Sequence, residues 1–251
     1  MSCTPVIDAL GIPPNALVEQ RVPKKLLMEH GAPTAADKRQ IQDAIEEIVW
    51  VAALKPTNIG VPAFDDVVRQ YLEIAVLTVE FRPAARPPRL IELIHRAIPY
   101  PLVLVSEHGE SISLSLAHKR WSKGEAGKVV IDDVRQAAFN PDAPSAQEAA
   151  FLASLAVSRH PSQDLFNLYD GMLARLAALE ASRITGAFAP PDSPEQASAL
   201  LEGLDRHGRL QRDLDLLRVR AKKEKQINRR VELNLEIQRL EVKLKELTPN
   251  L

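Results

Sequence analysis

The sequence predicts an α+β fold. A small mixed sheet with flanking helices fills the N-terminal half, and a helical hairpin or coiled-coil-like arm follows at the C-terminal end. Three observations indicate this: β-branched runs fall before residue 140, leucines at helical spacing dominate after residue 145, and no proline or glycine interrupts residues 209–247. A proline-flanked stretch between the two halves marks a linker, so we expect domains at 1–140 and 145–251.

The first long helix is predicted over residues 35–54. Thr34 can cap its N-terminus, and Asp37 places an acid in its first turn. Apolar residues then recur at helical spacing, and Pro56 ends the pattern because the residue before a proline avoids the helical region. The apolar positions are Ile41, Ala44, Ile45, Ile48, Val49, Ala52 and Ala53.

The predicted sheet follows this helix. Residues 71–81 form a β-branched run that is typical of a mostly buried strand, and a helix opens at Pro87. Residues 101–106 indicate a second strand. Beyond a turn at Gly109, apolar residues alternate with serines over 112–116, which predicts a hairpin strand with one face in water. Val129–Ile131 closes this antiparallel meander.

Capping residues mark the helices of the C-terminal half. Ser145 begins a capping box for a helix over 146–158, Ser162 precedes a helix that Gly186 ends, and Ser193 caps another helix. We therefore expect three or four helices whose apolar seams can pair in antiparallel fashion.

The last of these helices is predicted over about 209–247. Such a helix would be about 60 Å long, so something must cover it. It has one apolar seam with steps of four and three residues, which we assign as a protein interface: Leu233, Ile237, Leu240, Leu244 and Leu247. Val231, Leu235 and Val242 lie on the opposite side. Either the helix is enclosed in its own bundle, or one side packs on the chain and the other meets a second chain.

Positive charge is concentrated in this segment. The whole chain has 32 Lys and Arg against 33 Asp and Glu, but within 218–230 Glu224 is the single acid among seven basic residues. A block of this kind can bind the phosphates of DNA, or it can be a solvated helix face. The candidate nucleic-acid-binding residues are Arg218, Arg220, Lys222, Lys223, Lys225, Arg229 and Arg230.

Several function classes lack the residues that they need. The single Cys3 excludes an internal disulfide, and the six histidines have no metal-ligand spacing. No dinucleotide fingerprint, zinc-protease helix or nucleophile elbow occurs. We therefore expect no catalytic residues, no metal and no cofactor. No opening apolar run follows a basic start, and no stretch reaches about 18 apolar residues, which predicts a cytoplasmic protein without a membrane partner.

A metal-dependent nuclease is the one catalytic alternative. Such a site needs clustered carboxylates and a lysine on adjoining strands. The residues that could supply these groups are Asp65, Asp66, Glu73, Glu80 and Lys119. Glu73 and Glu80 are seven positions apart, so on one strand they point to opposite faces and cannot share a metal ion.

Several segments, in their order along the chain, resemble the bacterial and archaeal domain-of-unknown-function family 4391. They are Pro23-Lys24-Lys25, Asp37-Lys38-Arg39, Ile45–Trp50, Leu54–Ile59 and, most specifically, Glu224–Asn234. The resemblance spans nearly the whole chain and carries over no catalytic residue. Members of the family are encoded near helicases, DNA methyltransferases and restriction enzymes. The resemblance therefore implies an accessory part of a system that defends against foreign DNA.

Together these observations predict a non-enzymatic adaptor of an anti-phage or restriction-type system. Its C-terminal helices would dock onto a second copy of the chain, as a homo-oligomer, or onto a helicase, DNA methyltransferase or restriction subunit. The alternatives are a DNA-binding protein that uses 218–230 and, in third place, a cryptic nuclease.

Overall fold

The computed structural model describes residues 3–125, 129–140, 142–248 and 251. The chain divides into two compact units, Met1–Leu176 and Ala177–Leu251. The division falls inside a helix that spans Leu165–Thr185. The domain boundary that the sequence places between residues 140 and 145 stays a prediction.

The first unit contains a mixed six-stranded sheet and two short ribbons. Its strands are β1 (Leu17–Arg21), β2 (Ile45–Leu54), β3 (Phe64–Asp65), β4 (Gln70–Tyr71), β5 (Ile74–Phe81), β6 (Leu102–His108), β7 (Ser111–Leu116), β8 (Lys119–Trp121), β9 (Val129–Ile131) and β10 (Arg135–Phe139). The order in the large sheet is β1-β2-β5-β6-β7-β10, while β3 pairs with β4 and β8 with β9. The pair β5–β6 is parallel, and the other neighbours are antiparallel.

Helices accompany this sheet. They are α1 (Thr4–Ala9), α2 (Lys24–His30), α3 (Ala35–Ala44), α4 (Pro56–Ile59), α5 (Pro87–Ala97) and α6 (Ala146–Ser154). Helix α5 connects the parallel strands β5 and β6, the position in which a crossover helix is expected. Leu90, Leu93 and Ile94 of α5 are fully buried in a core that also contains Leu77 and Leu104 of the sheet. The predicted α+β class is confirmed.

The helix predicted over 35–54 is wrong in its second half. Thr34 accepts a hydrogen bond from the Asp37 amide and caps α3 as predicted, but the helix ends at Ala44. The next ten residues form β2, which pairs with both β1 and β5. An apolar run rich in isoleucine and valine fits both the helical and the strand period, so the local pattern does not decide between them. Pairing with strands on both sides favours the strand.

The hairpin strand β7 also differs from its prediction. Gly109, at φ +60°, forms the turn, and β7 pairs with β6 as expected. The serine face is buried, however, and not wet. Ser113 Oγ lies 2.6 Å from Ser106 Oγ, and Ser115 Oγ lies 3.0 Å from His95 Nε2. Hydrogen bonds between these side chains let the sheet bury both faces at this point.

The second unit is built from helices packed as hairpins. Helix α7 (Leu165–Thr185) ends at Gly186 in the left-handed region, at φ +84°, as the sequence predicts. Ser193 caps α8 (Pro194–Lys223), and α9 (Ile227–Leu247) follows. Within this unit, Ala177, Ala178 and Ala181 of α7 share a core with Leu200 and Leu204 of α8.

The continuous helix predicted over about 209–247 is wrong. Glu224 and Gln226 have extended backbone angles, with ψ 124° and 121°, and they separate α8 from α9. The two helices then pack together as a hairpin. Folding back allows the two apolar seams of one segment to bury each other, which a single straight helix could not do.

Candidate docking surface on the C-terminal helices

The predicted seam of α9 lies on its packed side. Leu244 is buried and the other four seam residues are half-buried, while Leu214, Leu217 and Ala221 are the buried positions of α8 that α9 faces. The half-buried residues are Leu233, Ile237, Leu240 and Leu247. The chain itself therefore covers much of this seam, and its assignment as a contact with a second chain stays a prediction.

The opposite side of α9 carries a second set of apolar residues, which we call the outer stripe: Ile227, Val231, Leu235 and Val242. They are 68%, 52%, 51% and 55% exposed. At 100° per residue they fall within an arc of about 80°, so they form one row along the helix. Single exposed apolar residues are common on proteins, but a row on one face is typical of a docking surface.

The seven candidate nucleic-acid-binding residues lie around the turn between α8 and α9, at the tip of the hairpin. Four are on α8, Lys225 is in the turn, and Arg229 and Arg230 open α9. All seven are exposed. Arg218 forms an ion pair with Glu241 at 2.8 Å and lies 3.7 Å from Asp215. The structure thus brings the basic residues together on two helices instead of along one.

The acids considered for a nuclease do not converge. Asp66 accepts hydrogen bonds from the amides of Val68 and Arg69, and Asp65 accepts one from Gln70. Glu73 precedes β5 and pairs with Lys55 at 3.0 Å. Across residues 3–125, 129–140 and 142–248, no three His, Cys, Asp or Glu side chains are placed to hold a metal ion.

Glu80 instead belongs to a row of carboxylates across the large sheet. It is in register with Glu47 on β2 and with Glu107 on β6. Cys3 lines the same small cleft, and burial, followed by the charges of Glu107 and Glu80, raises the pKa of its thiol to about 12. A thiol with this pKa is protonated at neutral pH and is a poor nucleophile.

Lys119 is buried and has a structural role. Its ammonium group donates to the backbone oxygens of His95 and Ile98 at the C-terminal end of α5. Burial lowers the pKa of Lys119 to about 7. A neutral amine retains two N–H donors for these two acceptors, so both carbonyls are satisfied in either protonation state.

One polar cluster was not predicted from the sequence. Tyr71 Oη lies 2.6 Å from His118 Nδ1, and His118 Nε2 lies 3.2 Å from Asp170 Oδ1. The ring of Phe166 stacks on that of His118 at 5.2 Å. Tyr71 is fully buried, and the cluster joins β4 and the segment after β7 to the start of α7. Its members are about 50 residues apart, and no local pattern indicates them.

The chain was compared with known families, curated proteins and solved structures. A family model described as "Domain of unknown function (DUF4391)" matches residues 10–244. No curated protein and no solved structure matches the chain. In the part of the chain that the structure describes, no helix has the length and apolar character that a membrane crossing requires.

Proposed function

The chain belongs to the DUF4391 family, and we propose that it is a non-enzymatic adaptor that docks onto a partner through its C-terminal hairpin. The observation that carries this proposal is the exposure of the outer stripe. Helix α9 packs on α8 through one apolar side, while the four apolar residues of the opposite side remain at least half exposed.

The shape of the outer stripe favours a helical partner. An arc of about 80° is narrower than the apolar face of an ordinary surface helix and is similar to a coiled-coil seam. Gln238 lies between Leu235 and Val242 along the row, and Asn228 and Asn234 flank it. A single polar residue in an apolar seam selects the register of pairing, because a partner must place a polar group opposite it.

The partner that we propose is a helicase, DNA methyltransferase or restriction subunit, in keeping with the gene neighbourhood that the family resemblance implies. Docking of this kind needs no reacting group on the chain. It requires a rigid arm with an apolar row, and the hairpin supplies both, since α9 is braced along its length by α8.

Co-purification with each candidate subunit tests the proposal, with light scattering to detect self-association. In the test variant, Val231→Thr and Leu235→Asn replace two residues of the outer stripe without changing the net charge. Val219→Thr and Leu216→Asn form the matched control, because these α8 residues are exposed to a similar degree, 49% and 57%.

We expect the test variant to lose the partner and the control to retain it. Both variants replace exposed residues, so far-UV circular dichroism should show native helix content for each. Retention of the partner by the test variant, or equal loss in both variants, contradicts docking through the outer stripe. If light scattering gives the mass of a dimer for the wild type and that of a monomer for the test variant, the outer stripe binds a second copy of the chain instead.

A further inference from the structure

We infer that one side of the hairpin tip, and not the basic block as a whole, binds the phosphodiester backbone of nucleic acid. The surface is a groove between α8 and α9 lined by Arg218, Lys222, Arg230 and Asn234, which we call the cationic groove. This goes beyond the proposed docking function, since both the residues and the class of partner differ.

The hairpin separates the basic residues into two grooves. The second groove, which we call the balanced groove, lies on the other side of the tip. It has three basic residues, Arg220, Lys223 and Arg229, and three acids, Glu224, Glu232 and Glu236. Its volume is about 510 Å³, against about 590 Å³ for the cationic groove. The two grooves thus differ in charge far more than in size.

The cationic groove retains its positive charge. Among the described residues, no carboxylate lines it beside its three cations. Glu241 pairs with Arg218 and offsets one of them. Two full positive charges therefore face solvent in a concave surface, where they attract an anion more strongly than on a convex one.

The start of α9 does not add to this field. Gln226 makes no side-chain cap and the first turn of α9 contains no acid. However, Glu224 Oε1 accepts a hydrogen bond from the Gln226 amide at 2.8 Å, so this carboxylate lies at the N-terminus of α9 and offsets the positive end of the helix dipole. The positive field of the cationic groove therefore comes from its own side chains.

The lining of the cationic groove predicts how nucleic acid is bound. It contains no aromatic ring among the described residues, so bases cannot stack in it. Arg and Lys contacts to phosphate oxygens carry no sequence information. We therefore expect binding that is independent of sequence and steeply dependent on salt, with a slope between about −2 and −3 for two or three contacted phosphates.

Fluorescence anisotropy with the full-length chain and a labelled mixed-sequence DNA duplex tests this inference, between about 50 and 200 mM salt. Lys222→Gln with Arg230→Gln removes two charges from the cationic groove. The matched control, Lys223→Gln with Arg229→Gln, removes one Lys and one Arg from adjacent positions on the same two helices, but from the balanced groove.

We expect the cationic-groove variant to weaken binding about tenfold and to reduce the salt slope by about 2, while the control keeps most of the affinity. Equal weakening by both variants would mean that only total charge matters and would overturn the inference. Binding that is absent in the wild-type chain, or independent of salt, would overturn it too. A difference between the variants that appears with anionic phospholipid vesicles and not with DNA would also overturn the inference.

No protein partner is present in this experiment, so its result does not depend on docking through the outer stripe.

Discussion

Arg218 Nη2 lies 2.8 Å from Glu241 Oε1, and this ion pair joins α8 to α9 across 23 positions of the sequence. It reports how the two helices of the hairpin align. That alignment turns the seam of α9 toward α8 and leaves the outer stripe exposed. The burial of one side of α9 and the exposure of the other therefore both follow from this alignment.

The ion pair itself should contribute little free energy. Both side chains are nearly half exposed, at 47% and 46%, and exposed pairs contribute about 0.2–1 kcal/mol. A double-mutant cycle with Arg218→Ala and Glu241→Ala should give a coupling energy in that range, and salt should reduce it. A coupling energy well above that range, or one that persists at high salt, would contradict this assignment.

The hairpin should depend instead on its buried leucines. Leu217 is 8% exposed, whereas its neighbour Leu216 is 57% exposed. Leu217→Ala should lower the stability of the hairpin by about 2–3 kcal/mol, because it removes buried methyl groups and leaves a cavity. Leu216→Ala removes the same atoms from an exposed position and should cost less than about 0.5 kcal/mol.

Hydrogen exchange of the α8 and α9 amides measures these two effects within the hairpin itself. This method suits a chain with two compact units, for which a single unfolding free energy is not well defined. Similar exchange rates in the two leucine variants would show that Leu217 is not a packing residue of the hairpin.

Glu80 lies in register between Glu47, which pairs with Arg21 at 3.4 Å, and Glu107, so we expect its charge to be weakly destabilising. Like charges directly opposite each other on neighbouring strands are destabilising. Glu80→Lys places an ammonium between two carboxylates and should raise the stability of the first unit by about 0.5 kcal/mol, with a smaller gain for Glu80→Gln. Urea denaturation followed by the fluorescence of Trp50 and Trp121, which both lie in the first unit, measures both changes. A loss of stability in both variants would show that Glu80 makes a favourable contact.

Lys119 should make stability depend on pH. Its pKa is about 7 in the folded chain and about 10.5 in the unfolded chain, so between these values the unfolded chain binds more protons. Stability from this group must then rise as the pH increases from 7 to 10.5. Comparison with Lys119→Met isolates the effect, on the order of a few kcal/mol across the window.

The Lys119→Met variant leaves the carbonyls of His95 and Ile98 without their donor, so it should be less stable than the wild type near pH 10. The difference should shrink towards pH 7, where burial of the charged Lys119 destabilises the wild type as well. The test is the difference between the two proteins in the urea midpoint of tryptophan fluorescence, which reports on the first unit, at several pH values. A difference that stays constant from pH 7 to pH 10 would show that Lys119 has an ordinary pKa.

Local signals in the sequence predicted much of the fold. The caps at Thr34, Ser145 and Ser193 and the turn at Gly109 depend on residues close in sequence, and the structure confirms them. The strand β2 was not predicted because its ten apolar-rich residues fit a helix equally well. Only their pairing with β1 and β5, up to 36 residues away in sequence, decides between the two.

The hairpin turn was missed for a related reason. Residues 224–226 are Glu, Lys and Gln, all good helix formers, so nothing local indicates a break. The reversal depends on mutual burial of two seams that the sequence did show. The division of the basic block into two grooves follows from that turn, and it could not be predicted from a continuous helix.

Thiol alkylation on α9 tests docking through the outer stripe most directly. Cys3 is replaced by serine, and one variant then carries Leu235→Cys on the stripe while another carries Glu236→Cys, which lies about 100° further round the helix and outside the stripe. With a co-purified helicase or methyltransferase subunit bound, we predict alkylation at position 235 to slow at least about tenfold and that at position 236 to change little, since docking removes from water the residues of the interface and not those outside it. Unchanged alkylation at 235, or equal protection of both positions, would contradict the account.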